Sequence, residues 1–167
     1  FGSVLSGRLQ GTAGADRVLG MFINTLPLRV RINDASVAAV VERTHRELIE
    51  LLRHEQAALA LAQRCSAVPP STPLFSAVLN FRHSALGEPQ RDTGIELIAS
   101  HERTNYPFTV SVDDLGKGFA LTAQTEPRIG SARLAAYLQS ALRALLAALE
   151  TAPGTPLLEL SVLPDDE

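Results

Sequence analysis

The chain has 167 residues, 46% of them hydrophobic and 20% charged, with a formal net charge of −3. That is the balance of one folded domain or part of one, and it excludes wholesale disorder and the basic footprint of a nucleic-acid binder. The single cysteine, Cys65, excludes an intrachain disulfide and fits a reducing, cytoplasmic setting.

In chain order, Phe1 to Leu9 reads as a strand. Its opening, Phe1-Gly2-Ser3-Val4-Leu5, already looks like the inside of an element, so a longer polypeptide is expected. Residues 11–16 are turn-like, and Asp16 is positioned to cap a short helical turn over Arg17 to Leu19 that ends at Gly20. After Pro27, Leu28, Val30 and Ile32 alternate with Arg29 and Arg31, which predicts a half-buried strand over 26–32. Asn33 to Ser36 form a turn and cap. Val37, Val40, Val41, Thr44, Leu48, Leu51 and Leu52 then recur at helical spacing, so an amphipathic helix runs to about Glu55. A shorter helix over 59–64 ends before Pro69-Pro70-Ser71-Thr72-Pro73, a stiff extended connector.

Leu74 to Phe81 reads as a strand, His83 to Asp92 as an exposed loop and Ile95 to Ala99 as another short strand. Phe108–Val112 and Phe119–Ala123 alternate on either side of a polar, Gly-containing loop and predict a hairpin. Ser131 caps a second amphipathic helix with a leucine stripe, which breaks at Pro153-Gly154. The run Leu134–Leu149 is interrupted by Gln139, Ser140 and Arg143 and is too short and mixed to span a bilayer. The sum is an α/β fold: a two-layer sandwich of a mixed sheet and two long amphipathic helices.

The residues contain no complete catalytic set. The four histidines, His45, His54, His83 and His101, are not adjacent, and none has metal-ligand spacing with another, so no metal site is expected. No nucleophile elbow, phosphate-binding loop or dinucleotide fingerprint occurs. His54, at a helix end, is either a cap favoured by the helix dipole or a polar group lining a cleft. Ser6-Gly7-Arg8 and Arg103-Thr104-Asn105-Tyr106-Pro107 are polar clusters at strand edges.

Several stretches together resemble the condensation domains of nonribosomal peptide synthetases. Ser6-Gly7-Arg8 is similar to the S-G-R that ends a strand of that family. Gly20-Met21-Phe22-Ile23-Asn24-Thr25 through Arg29 resembles its G-x-F-[IV]-N-T-x-x-x-R motif. His54-Glu55-Gln56 resembles the later H-Q or N-Q motif, although Ala57-Ala58 stand where the family usually has Tyr-Pro. Leu74-Phe75 and Asn105-Tyr106-Pro107-Phe108 resemble further family segments, and the match runs in order along nearly the whole chain.

The resemblance implies part of a chloramphenicol-acetyltransferase-like lobe. Residues 1–163 are expected to be the later part of the C-terminal lobe, and 164–167 the start of an acidic linker. It implies amide formation between an acyl or peptidyl donor and an aminoacyl acceptor, both tethered to phosphopantetheine arms of carrier proteins. It implies that this chain itself binds no cofactor. Its partners are then the N-terminal lobe and the upstream and downstream carrier-protein domains, with no nucleic acid and no membrane. The family's His-His-x-x-x-Asp-Gly motif is absent here and is expected upstream, so no catalytic residue is assigned and the isolated chain is expected to be inactive. Ser6, Arg8, Asn24, Thr25, Arg29, His54 and Asn105 are the residues expected to line or support a substrate tunnel. A non-catalytic carrier-binding scaffold and an epimerisation domain of the same fold are the alternatives.

Overall fold

The structure is a computed structural model that describes residues 1–8, 14, 17–83, 98 and 103–164. Five strands, β1 (Gly2–Leu5), β2 (Asn24–Pro27), β3 (Ala77–His83), β4 (Phe108–Asp114) and β5 (Phe119–Thr125), form one sheet in the order β2-β1-β3-β4-β5. The outer pairs, β1 with β2 and β4 with β5, are antiparallel, whereas β1–β3 and β3–β4 are parallel. The helices are α1 (Val37–Leu52), α2 (Leu59–Cys65) and α3 (Ser131–Thr151). This is the α/β, mixed-sheet architecture that the hydrophobic patterning predicts.

Register decides which residues share a face. Ser3 aligns with Leu26, Leu79 and Val110 through successive pairings, and Leu5, two residues on, shares their face; Leu5, Leu26 and Val110 are all buried. Beside this layer α3 lies along β5, α2 lies on β2, and α1 and α3 touch each other. Gly2, Val78 and Thr109 point to the opposite face. There the Phe75 ring lies so close that a Cβ on Gly2 would stand 2.4 Å from it. Phe75 in turn stacks on Tyr106, with ring centroids 5.5 Å apart. The glycine is what lets an aromatic ring seal the middle of the sheet.

The tail after α3 is pinned to the start of α1. Ser36 Oγ accepts from the Ala39 amide as an N-cap. Val37 N–H donates to Thr155 O, and Leu157 N–H to Ala35 O. Val37, the first residue of α1, is fully buried under this strap.

Several element boundaries differ from the sequence expectation. The strand predicted over 26–32 is instead Asn24–Pro27. Alternation marks one-sided burial, but a strand also needs a neighbour, and of this stretch only residues 24–27 pair with β1. Leu28 N–H adds one more bond, to Phe1 O, while Arg29, Arg31 and Ile32 are exposed. The first helix stops at Leu52, and residues 53–55 close it with tighter turns. The third strand starts at Ala77 rather than Leu74, and the hairpin loop is shorter than expected because β4 runs on to Asp114.

Ser131 is the first helical residue of α3, not its cap. Gly130 occupies the cap position and offers no side chain. The proline connector folds back rather than extending: Thr72 N–H donates to Pro69 O, and the Gln63 amide donates to the carbonyls of Val68, Pro69 and Thr72. The turn over 11–16 with its Asp16 cap, the loop beyond His83 and the strand over 95–99 lie outside the described residues, apart from Gly14 and Ile98.

Candidate functional site

Asn24 and Thr25 are half-buried at one end of the sheet, and as successive strand residues they point to opposite faces. Asn24 opens β2 opposite Leu5, the last residue of β1. Its Nδ2 donates both hydrogens to main-chain carbonyls beyond α1, at 2.9 Å to Glu55 O and 2.7 Å to Ala57 O. Its Oδ1 accepts from the Thr25 amide at 2.9 Å. One side chain thus ties β2 to the 55–57 turn. Thr25 is held beside it by its pairing with Val4.

The segment leaving β1 is fixed from two sides. Gly7 adopts φ +69°, and a Cβ there would stand 1.8 Å from the Phe22 carbonyl oxygen. No other residue type fits that close approach of two backbones. Arg8 reaches over the next loop. Its guanidinium donates to Val18 O at 2.8 Å and Gly20 O at 3.3 Å, and it stacks on the Phe22 ring 4.5 Å from the centroid. From the other side Gln56 Nε2 donates to the Gly7 carbonyl. Residues 6–8, 18–25 and 54–57 therefore form one interlocked unit.

Arg29 and His54 lie together in a second place. A cleft of about 420 Å³ opens between the stretch after β2, with Arg29 and Arg31, and the side of α1, with Arg43, Glu47 and Glu50; His54 lies at its end. Arg43 donates to the Arg31 carbonyl. His54 is exposed, and its Nε2 stands 3.5 Å from Glu50 Oε1. It thus sits both just past the end of α1 and in the lining of the cleft. Ser6 is exposed at the end of β1, and Asn105 is exposed in the turn before β4. Among the described residues no hydrogen bond joins Asn105 to the interlocked unit.

The sequence reading did not single out the two neighbours of His54. Glu55 is the buried member of the triplet, only 1% exposed, and Gln56 bonds the Gly7 carbonyl. The polar run His54-Glu55-Gln56 was visible, but the helical period ends just before it, so nothing in the spacing says which of the three turns inward.

A further charged cluster sits at the far ends of β3 and β4. Arg82 grips Asp113 through Nε at 2.6 Å and Nη2 at 2.9 Å. These bonds hold the Asp113 carboxyl below its ordinary pKa. Asp114 accepts from the Gly116 amide and pairs with His83 Nδ1 at 2.9 Å. The Gly116 bond, followed by the His83 bond, lowers its pKa as well. Among the described residues no group of three or more His, Cys, Asp or Glu side chains is placed to hold a metal ion. No helix among them is long and apolar enough to cross a membrane.

Comparison with known proteins fits this geometry. A family model described as the condensation domain matches residues 1–167. The chain is 49% identical over its whole length to malpibaldin synthetase and to malpinin synthetase of Mortierella alpina. It is 32% identical over 66% of its length to bacitracin synthase 3 of Bacillus licheniformis. It spans only 2–3% of the length of these relatives. Among solved structures, the fold matches the crystal structure of CT with a TM-score of 0.74 at 20% identity, covering 96% of this chain and 38% of that one. It also matches the starter condensation domain of rhizomide synthetase in complex with C8-CoA, with a TM-score of 0.68 at 17% identity, over 96% of this chain and 37% of the other. The interlocked S-G-R, N-T and H-E-Q segments, the mixed sheet and the full-length family match together place this chain in the condensation-domain family of nonribosomal peptide synthetases.

Proposed function

We propose that this chain is the later part of the C-terminal lobe of a condensation domain and supplies one wall of a tunnel in which an amide bond forms. The donor is an acyl or peptidyl thioester and the acceptor an aminoacyl thioester, each carried on the phosphopantetheine arm of a carrier-protein domain. The acceptor amine attacks the donor carbonyl, the donor thiol leaves, and the amine gives up a proton. The histidine that acts on the amine belongs to the His-His-x-x-x-Asp-Gly motif upstream. This chain contributes shape, polarity and exclusion of water, which protects the thioester from hydrolysis. Holding two tethered reactants in register is itself worth about 7–11 kcal/mol of barrier in favourable cases.

The observation that carries this reading is an exposed apolar strip on the interlocked unit. Leu19 is 97% exposed, Met21 96% and Ile23 71%, while Phe22 between them packs under Arg8. Three neighbouring apolar side chains held out to solvent on a braced loop are what a covering partner would bury. The solved starter condensation domain of rhizomide synthetase has much chain beyond the matched part, since this chain covers only 37% of it. Asn24, with both amide hydrogens bonded to the backbone and its Oδ1 accepting from Thr25, then shapes the wall rather than contacting substrate.

The test uses the intact condensation domain between its native upstream and downstream modules, which charge their own carriers. Carrier-bound amide product is read by mass spectrometry of the pantetheine-bearing peptides. The intact domain should form amide, and residues 1–167 alone, added to the charged carriers, should form none. Turnover by the isolated chain near the intact rate would overturn the two-lobe reading. Inversion of the donor α-carbon without amide formation would establish epimerisation instead, and loss of neither reaction on deleting the domain would leave it a scaffold.

A further inference from the structure

Gln56 links two segments that lie far apart in sequence. Its side-chain amide, on the turn after α1, donates to the carbonyl of Gly7, where the chain leaves β1. We infer that Gln56 is a positioning residue that sets the placement of Ser6-Gly7-Arg8 at the tunnel wall; this rests on the function proposed above.

Three features support it. Gly7 is already wedged against Phe22 by a left-handed backbone and a contact that no Cβ could share. Its peptide plane is therefore fixed on one side by packing. Arg8 anchors the next residue to Val18 O, Gly20 O and the Phe22 ring. The Gln56 bond holds the same segment from the opposite side, and Asn24 holds the backbone on both sides of Gln56 through Glu55 O and Ala57 O. The clasp is thus itself braced. Gln56 is exposed as a residue and buries little apolar surface, so removing its donor loses a directional bond and little packing. Such a bond contributes modestly to stability but strongly to geometry, and an error of about 1 Å in a reacting site can cost roughly 100-fold in rate.

The test compares Gln56→Glu, which keeps the shape but cannot donate once ionised, with Gln56→Lys, a flexible donor. Both are made in the intact condensation domain within its native modules. Amide formation is measured as kcat and as KM for the acceptor carrier, and hydrogen exchange is followed in a peptide spanning residues 5–9. Gln56→Glu should lower kcat by about 10-fold or more with KM within about twofold, and should speed exchange in that peptide. Gln56→Lys should stay within about threefold of wild type on both readouts. Wild-type kcat and wild-type exchange in Gln56→Glu would overturn the inference. So would an equal fall in both variants with a matching loss of melting temperature, since that is a purely structural role. If the wild-type domain made no amide, the function proposed above would fail, and the exchange measurement would decide the clasp alone.

Discussion

Replacing Gly7 with alanine tests the interlocked unit most directly. Two penalties combine at this position. A left-handed backbone, φ +69° here, costs an L-residue about 1–2 kcal/mol. The new Cβ would also stand 1.8 Å from Phe22 O, whereas ordinary contact starts near 3.4 Å. The obstacle is backbone, so no rotamer change relieves it; the 6–8 segment or the Phe22 loop must move. Overpacking of this kind costs about 1–3 kcal/mol, giving about 2–5 kcal/mol in all. Gly116 supplies the control. It has φ +77° and nothing within 4 Å of its Cβ position, so Gly116→Ala should carry the conformational penalty alone, about 1–2 kcal/mol. Any gain from stiffening the unfolded chain is common to both and cancels in the comparison. Denaturant unfolding of the intact domain measures both. Equal costs at the two glycines, or a Gly7→Ala variant within about 0.5 kcal/mol of wild type, would refute the close approach of residues 7 and 22.

Asn24→Ala should destabilise the intact domain by about 1–3 kcal/mol, because two carbonyls lose their donors. Asn24→Asp should do no better, since a carboxylate cannot donate to either carbonyl; a wild-type midpoint for the aspartate variant would contradict the assigned amide orientation. Ser36→Ala should cost about 1 kcal/mol by removing the cap on the Ala39 amide, read as a drop in the same midpoint. Asp113 and Asp114 both have lowered folded-state pKa values, so their contribution is present above the ordinary carboxylate range and is lost as pH falls through the folded values. The double variant Asp113→Asn/Asp114→Asn should therefore flatten the acid side of the stability–pH curve and leave its neutral side parallel to wild type. An unchanged acid slope would count against both pairs.

The sequence made the helices and the hairpin legible because their evidence is local. The Val37–Leu52 stripe needs only helical spacing, and the paired alternation around Leu115–Gly118 needs only a nearby turn. The strand around residues 24–32 was misplaced because its limits are set by β1, and register between distant segments leaves no mark in local alternation. The site divides in the same way. Asn24 and Thr25 were marked by the G-x-F-[IV]-N-T resemblance and Arg8 by the polar S-G-R cluster at a strand edge, and all three lie in the interlocked unit. What Asn24 bonds could not be read, since its partners are main-chain carbonyls, which every residue carries. Glu55 and Gln56 were hidden for a related reason: at a helix end the periodicity that separates inside from outside stops.

The sheet order has a consequence for how the chain is made. β1 comes first in sequence but sits in the interior of the sheet, between β2 and β3. As the chain emerges from the ribosome, β1 can pair with β2 at once, but its other edge waits until α1, α2 and β3 have followed. During that interval it is an open edge beside apolar side chains, the kind of surface that invites pairing between chains. Faults in β3, such as loss of the buried Val78 side chain opposite Gly2, lengthen that exposure, whereas faults in β5, at the outer rim, do not. Of two substitutions equal in their cost to the finished fold, the one in β3 should therefore yield less soluble protein.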